Sequence, residues 1–306
     1  MFAVDPSSCI VFDNGAETLR FGLASETSPK SIHNCTGVFK GQPRRYVADE
    51  IDGLRNTSGL CLSRPFDRGM LTNWLCEMDI WSRAFELLSV RNLDLGDRSL
   101  VVTSVPFAPE AIVNDMNEVV FEELGLSHCL TRPSSWFSAF EYSQDLSAHY
   151  NDLSRSCCLV VDSGFSFTHS MPWIDMKTRA PVCRRVNIGG KLLTNYLKEL
   201  VSYRQYNMMD EFLLMNRVKL DLCYVSTDAI GELRSSRLRG SHRSDPKAVA
   251  PNGGRLRQLY VLPDFHTVLK GYIKPEDEPP SPNEQVYSSV EYDEYYQSFV
   301  VIAHGK

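Results

Sequence analysis

The sequence predicts an α/β protein of two similar lobes, and three observations carry that prediction. Cys157 to Asp162 is an unbroken apolar run that turns on Asp162-Ser163-Gly164 and returns through Phe165-Ser166-Phe167-Thr168-His169. Such a run, bounded by a turn signal, reads as a buried strand. The same design stands near the N-terminus: Cys9 to Asp13, a turn at Asn14-Gly15, and an alternating return through Leu19, Phe21 and Leu23. The third observation is length, since 306 residues allow two domains with cores of their own. Two matching hairpins predict a cleft with an Asp-x-Gly turn on each wall.

The chemistry of such a turn is simple. Glycine lets the backbone approach a ligand closely. Successive backbone N–H groups form an anion-binding concavity. An aspartate at the strand end can hold a metal beside phosphates. A single turn of this kind is a weak signal, because hairpins use it routinely. A pair at equivalent places is more specific.

Composition narrows the class. Hydrophobic residues make up 43% of the chain, which predicts globular order over most of it. A net charge of −6 gives no whole-protein electrostatic case for nucleic acid. No apolar run approaches a membrane span, and the opening MFAVDPSSC lacks the pattern of a secretory signal. The nine cysteines are scattered without a C-x-x-C, which is the usage of a reducing compartment and offers no metal-ligand spacing.

Taken in order, residues 9–25 form the first hairpin. Residues 26–65 are turn-rich and read as a small flap. Asn73 is a helix N-cap, and Leu75, Met78, Ile80, Trp81, Ala84, Phe85 and Leu88 recur at helical spacing after it. Leu100-Val101-Val102-Thr103 is a strand. Pro109 to Leu124 is a helix, with Pro109 suited to its first turn and Gly125 to its stop. Pro133 to about Gln144 is a further helix, and 145–156 a polar connection between lobes. After the central hairpin, Val186-Asn187-Ile188-Gly189-Gly190 leads into a helix from Lys191 to about Tyr203, and a second runs from about Asp210 to Tyr224. Residues 227–257 carry seven Lys or Arg among glycines and prolines and read as a basic loop. Tyr260 to Phe265 is a strand and turn. Residues 273–306 are acidic at first and read as a peripheral or disordered tail. The expected domains are 1–148, 149–272 and this tail.

These motifs resemble the actin superfamily. Asp13-Asn14-Gly15 is similar to its first phosphate loop, and Asp162-Ser163-Gly164 with Thr168-His169 to its second. Pro65 through Trp74, followed by Ile80-Trp81, resembles the segment that enters the first large helix. Lys219 with Leu222-Cys223-Tyr224-Val225 is similar to the helix beside the nucleoside, and Tyr260 to Asp264 to a strand and turn of the fourth subdomain. The resemblance covers about residues 8–272. It implies an actin-like (ribonuclease H-like) two-lobed fold with an incomplete second lobe, since the third nucleotide segment and the returning C-terminal helices have no counterpart. The chain then reads as a short form or a truncated gene product past about Gly271, and a first lobe without those helices would expose apolar surface.

Gly189-Gly190-Lys191-Leu192-Leu193-Thr194-Asn195-Tyr196-Leu197-Lys198-Glu199 and Ser202-Tyr203-Arg204-Gln205 are most similar to the class-six actin-related proteins. That likeness implies a nuclear scaffold subunit of a remodelling complex that exchanges a core histone for its variant, with the cytoplasm as a second compartment. Its implied partners are the protein subunits of that complex and the nucleosome, by histone or DNA, through 227–257; no membrane is implied.

The resemblance also implies ATP as a cofactor, held by Asp13, Asn14, Gly15, Arg20, Asp162, Ser163, Gly164, Gly189, Gly190 and Lys219. Several positions depart from that pattern. Ala16 and Glu17 replace a small hydroxyl residue and a glycine, and a carboxylate there repels phosphate. Arg20 replaces a lysine. Phe165-Ser166 replace an Asp-Gly pair, Leu220 stands for a ribose-holding glutamate, and the water-orienting glutamine falls at Phe140. His169 is either a residue that assists water or a cross-strand packing residue. Gly189-Gly190-Lys191 fails as a P-loop, because Arg185 and Leu192 occupy the required glycine and hydroxyl positions; it is either a helix N-terminus near phosphates or a plain helix start. The expectation is therefore a non-catalytic actin-like scaffold, with an ATP-binding protein of weak or no hydrolysis as the alternative and a sugar-kinase relative ranked last.

Overall fold

A computed structural model describes residues 5–90, 95–150, 157–204, 207–231, 258–266, 268–274, 285–287 and 300–304. The expected α/β fold class is present. The chain falls into two compact units, residues 1–54 with 60–192 and residues 55–59 with 193–306.

The first unit is built on the N-terminal hairpin. Strands β1 (Cys9–Asn14) and β2 (Thr18–Leu23) pair antiparallel with Phe12 opposite Phe21. β3 (Lys30–His33) continues the sheet beyond β2. On the other side β1 pairs in parallel with β9 (Ser99–Ser104), and β9 with β10 (His128–Pro133), giving the order β10-β9-β1-β2-β3. Alternation puts Ile10, Phe12, Leu19, Phe21, Leu100 and Val102 into one buried core. Helix α1 (Trp74–Leu87) covers it with Ile80, Trp81, Ala84 and Phe85. The Phe12 ring meets Trp81 edge-on at 5.3 Å and stacks on Phe85 at 5.4 Å, geometries that add to the apolar burial. Asn73 caps α1 as its sequence position predicts, its side chain accepting from the Cys76 N–H at 3.2 Å.

The flap is a small sheet of β4 (Thr36–Phe39), β5 (Arg45–Val47) and β6 (Leu60–Ser63) in the order β5-β4-β6. Arg83 of α1 ties down the short 3-10 turn between β5 and β6 (Ala48–Ile51), donating to both carboxylate oxygens of Asp49 at 2.8 and 2.9 Å. A two-stranded ribbon, β7 (Phe66–Asp67) with β8 (Met70–Leu71), leads into α1. Helix α2 (Glu110–Glu118) runs on through a π turn at Val119–Glu123 and stops at Gly125, whose φ of +67° suits the left-handed C-terminal position.

Two elements differ from the sequence reading. β10 was not expected, because His128, Thr131 and Arg132 break any apolar run; its pairing with β9 makes it a strand. Helix α3 (Ser134–Tyr150) extends past Gln144 through residues expected to be a connection. The central hairpin, β11 (Cys157–Ser163) with β12 (Thr168–Ile174), forms as predicted with Val160 opposite Met171, and β13 (Arg184–Val186) adds a third strand. This hairpin, expected to open the second lobe, groups with the first unit.

The second unit holds most of helix α4 (Gly190–Arg204), α5 (Phe212–Leu222) and β14 (Gln258–Leu262). Leu197, Val201, Met208, Met215, Val218, Tyr260 and Leu262 form its core. β14 pairs with β15 (Tyr272–Ile273) on one side and with β17 (Val300–His304) on the other, and β16 (Gln285–Tyr287) follows β17. Two strands thus lie in the stretch read as a peripheral tail. The basic loop, from residue 232 onward, lies outside the described residues.

Candidate functional site

Both Asp-x-Gly turns form, and both lie in the first unit. In the first, Asp13 ends β1. Its carboxylate accepts from Thr103 Oγ1 at 3.0 Å and from Arg20 at 3.2 Å. The Asn14 N–H donates to Thr103 Oγ1 at 2.7 Å, and the Gly15 N–H to the Asp13 carbonyl at 3.1 Å. Asn34 clasps the turn from the flap side. Its side-chain amide donates to Asn14 Oδ1 at 3.1 Å and to the Gly15 carbonyl at 2.9 Å.

Beneath this turn sits a group the motif reading missed. Glu77 of α1 is fully buried and faces Asn14, Asn34 and Trp81. Burial pushes its carboxyl up to about 7, against the opposing pull of those three side chains. Its signal in the sequence was a lone glutamate on the apolar face of an otherwise regular helix.

In the second turn, Asp162 Oδ2 accepts a short hydrogen bond from Ser134 Oγ. The Ser163 and Thr168 hydroxyls lie 3.1 Å apart, and Thr168 Oγ1 donates to the Ile188 carbonyl at 2.9 Å. The Gly164 N–H donates to the Phe167 carbonyl at 3.0 Å. The start of α4 is drawn onto the same turn. The Gly190 N–H donates to the Gly164 carbonyl at 3.0 Å, and the Lys191 N–H to the Phe165 carbonyl at 2.8 Å. This explains Gly189: a Cβ there would stand 2.5 Å from the Phe165 carbonyl oxygen.

Phe140 does not approach Asp162. α3 begins as β10 ends, so its first residue, Ser134, meets the turn. Phe140 lies further along the helix, 43% exposed and stacked on Trp136 at 5.3 Å. The residue that meets the second turn from this helix is thus Ser134, while Phe140, the position the resemblance implies for orienting water, carries no polar group. His169 is buried with its ring 4.4 Å from that of Phe167. Burial and the neighbouring Arg185 hold its pKa below the usual histidine value. Arg185 in turn lies over the Phe167 ring at 4.1 Å.

The two turns are joined by a residue that sequence spacing does not reveal. Arg64, just past the end of β6, places its guanidinium 2.9 Å from the Glu17 carboxylate, and both side chains are largely buried. The same guanidinium lies 4.8 Å from the centre of the Phe165 ring and 3.4 Å from the Ala16 carbonyl oxygen. Glu17 belongs to the first turn and Phe165 to the second, so Arg64 clasps them together. These are the two positions that depart most from the phosphate-loop pattern, and they depart as a matched set.

A polyphosphate needs donors that are not already engaged. Here the amides of residues 14, 15, 164, 190 and 191 each donate within the protein, and the Arg64 cation is paired with Glu17. Those five amides are therefore engaged within the protein and not directed at the phosphate groups that the resemblance implies. Lys219 belongs to the second unit. Its Nζ donates to Thr194 Oγ1 at 2.9 Å and to Asn216 Oδ1 at 3.0 Å, fastening α4 to α5 through two buried polar groups. Leu220 beside it is 70% exposed.

Comparison with known proteins agrees with this architecture. The model of the family described as Actin matches residues 4–273. "Actin-related protein 6" of Oryza sativa subsp. indica is 38% identical over 278 residues, 89% of this chain and 60% of its own length. Proteins of the same name from Arabidopsis thaliana and Drosophila melanogaster are 35% and 33% identical, covering 88% and 91% of this chain and 61% and 67% of their own. The chain thus spans about 60% of the length of the first of these relatives. By the extent of the family match, the chain belongs to the actin family.

Proposed function

We propose that this protein is a non-catalytic, actin-family scaffold subunit of a nuclear chromatin-remodelling complex that exchanges a histone for its variant. The observation that carries the non-catalytic part is the Arg64 clasp. The two turns are held to each other by Glu17, Arg64 and Phe165, with the Asn14, Gly15 and Gly164 amides engaged within the protein. A subunit built in this way keeps its shape without a nucleotide and offers partners a fixed surface. The nuclear assignment rests on the stretch 189–205 and on the likeness to proteins named Actin-related protein 6.

Two measurements test the reading. A tagged copy recovered from nuclear extract is expected to bring down remodelling subunits; recovery of cytoskeletal partners alone overturns the assignment. Mg-ATP is expected to leave the thermal midpoint unchanged. A ligand present at a hundred times its dissociation constant would stabilise the fold by about 2.7 kcal/mol, so binding would be plain in the melting curve. Such a shift would favour the alternative of an ATP-binding protein, which the retained Asp13, Gly15, Asp162 and Gly164 support.

A further inference from the structure

Residues 55–59 are the one stretch of the first 192 that groups with the second unit. The loop reads Arg55-Asn56-Thr57-Ser58-Gly59 and immediately precedes β6. Its turn is set locally. The Ser58 N–H donates to Asn56 Oδ1 at 2.8 Å, and Gly59 follows at φ +75° with nothing within 4 Å of where a Cβ would stand. The turn therefore presents Ser58 on an exposed tip. Two hydrogen bonds among the described residues fasten the loop within the second unit. Ser58 Oγ donates to Glu211 Oε1 at 2.7 Å, at the N-cap of α5, and the Arg55 guanidinium donates to the His266 carbonyl at 3.3 Å. Arginine three residues before a serine is a charge pattern that basophilic protein kinases read through acidic substrate clefts. In this sequence Arg-x-x-Ser or Arg-x-x-Thr occurs at Ser58 and Ser135 alone, and Ser135 is 1% exposed, which leaves Ser58 as the accessible acceptor.

We propose that Ser58 is a phosphorylation site for a basophilic kinase, and that its modification releases the loop from α5. In the transfer the Ser58 O–H bond breaks and its proton passes to the kinase's base. The Oγ–P bond forms as the bond between the γ-phosphorus of ATP and the departing ADP oxygen breaks. Oγ is then an ester oxygen with no proton to donate, so its hydrogen bond to Glu211 is lost. In its place about two negative charges stand against the Glu211 carboxylate. The start of a helix attracts anions. Glu211 already occupies that end of α5 with exposed Asp210 beside it, so the phosphate meets carboxylates first. The same phosphate draws the Arg55 guanidinium off the neutral His266 carbonyl, because a charge-assisted bond is the stronger one. Both ties of the loop are therefore lost together. The inference is independent of the scaffold reading and of any nucleotide at the two turns.

The test treats the whole chain with the catalytic subunit of cyclic-AMP-dependent protein kinase and Mg-ATP, and locates phosphate by peptide mass spectrometry. Phosphate is expected on Ser58. Arg55→Ala is expected to slow its incorporation at least about tenfold, through the loss of one charge-assisted contact in the kinase cleft. Release is read by hydrogen exchange over residues 55–60 and the first turn of α5. Ser58→Ala also lacks the hydroxyl but adds no charge, so it is the reference. Exchange in the phosphorylated wild type is expected to be about threefold faster than in Ser58→Ala, the size of an exposed like-charge contact. Phosphorylated Glu211→Gln should return close to the reference. Absence of phosphate on Ser58, under conditions that fully modify a control Arg-Arg-x-Ser peptide, overturns the site. Incorporation undiminished by Arg55→Ala overturns the recognition by a basophilic kinase. Exchange equal to or slower than that of Ser58→Ala overturns the release, slower exchange marking the phosphate as an anchor on α5.

Discussion

Arg64 and Glu17 meet at 2.9 Å in a largely buried ion pair, with the face of Phe165 on the same guanidinium. Removing one partner of such a pair strands the other charge away from water. Arg64→Ala is expected to destabilise the protein by about 3 kcal/mol, read from the urea midpoint. Arg64→Lys keeps the charge and loses the planar stack, so it should cost only about 1 kcal/mol. Equal stability of all three proteins would mean that the clasp is decorative.

Glu77 predicts a pH dependence. Its folded pKa, about 7, lies above the ordinary glutamate value of 4.5. The folded state therefore holds a proton that the unfolded chain releases earlier, and the sign follows from linkage. The wild-type protein should lose stability as pH rises from about 4.5 through 7, with the full penalty present above that. Glu77→Gln carries no charge to desolvate. It is expected to flatten this slope and to be more stable at pH 8 by on the order of 2 kcal/mol. Urea unfolding of both proteins between pH 5 and 8 reads the difference; parallel curves would refute the assignment.

Gly69 stands at φ +77°, and a Cβ there would lie 1.8 Å from the Phe167 ring. Gly69→Ala combines backbone strain with overpacking against a ring that Arg185 already covers. A loss of about 3 kcal/mol is expected. Trimming the ring in Gly69→Ala with Phe167→Leu should restore part of it. No recovery would mean that the strain lies in the backbone alone.

Lys219 is expected to matter for stability alone. Lys219→Met removes two hydrogen bonds to buried Thr194 and Asn216, at a cost of about 1–2 kcal/mol. Hydrogen exchange should quicken in α4 and α5. Unchanged exchange in both helices would contradict the fastening role.

The hairpins, the capped α1 and the α4 start were legible because each is a local pattern: an apolar run, a cap residue, a glycine pair before a helical stripe. β10 was not, since a strand of His128, Thr131 and Arg132 owes its existence to β9 rather than to its own composition. The site divided along the same line. The two turns and their departures could be read directly. Glu17 and Phe165 were each legible as a loss, yet nothing in their spacing joined them to Arg64, whose role exists only in three dimensions. The start of α3 was legible at Pro133, but its contact with the second turn through Ser134 was not.

The parallel pairing of β1 with β9 sets a schedule for folding during synthesis. Ile10 pairs with Leu100, so the ribosome must add about 90 residues before the central strand of the first sheet gains its second neighbour. At roughly 5–20 residues per second the N-terminal hairpin waits several seconds, with Phe12 and Phe21 lacking the α1 cover and the β9 edge that bury them. The nascent chain is thus exposed to chaperone capture until β9 has emerged to pair with β1.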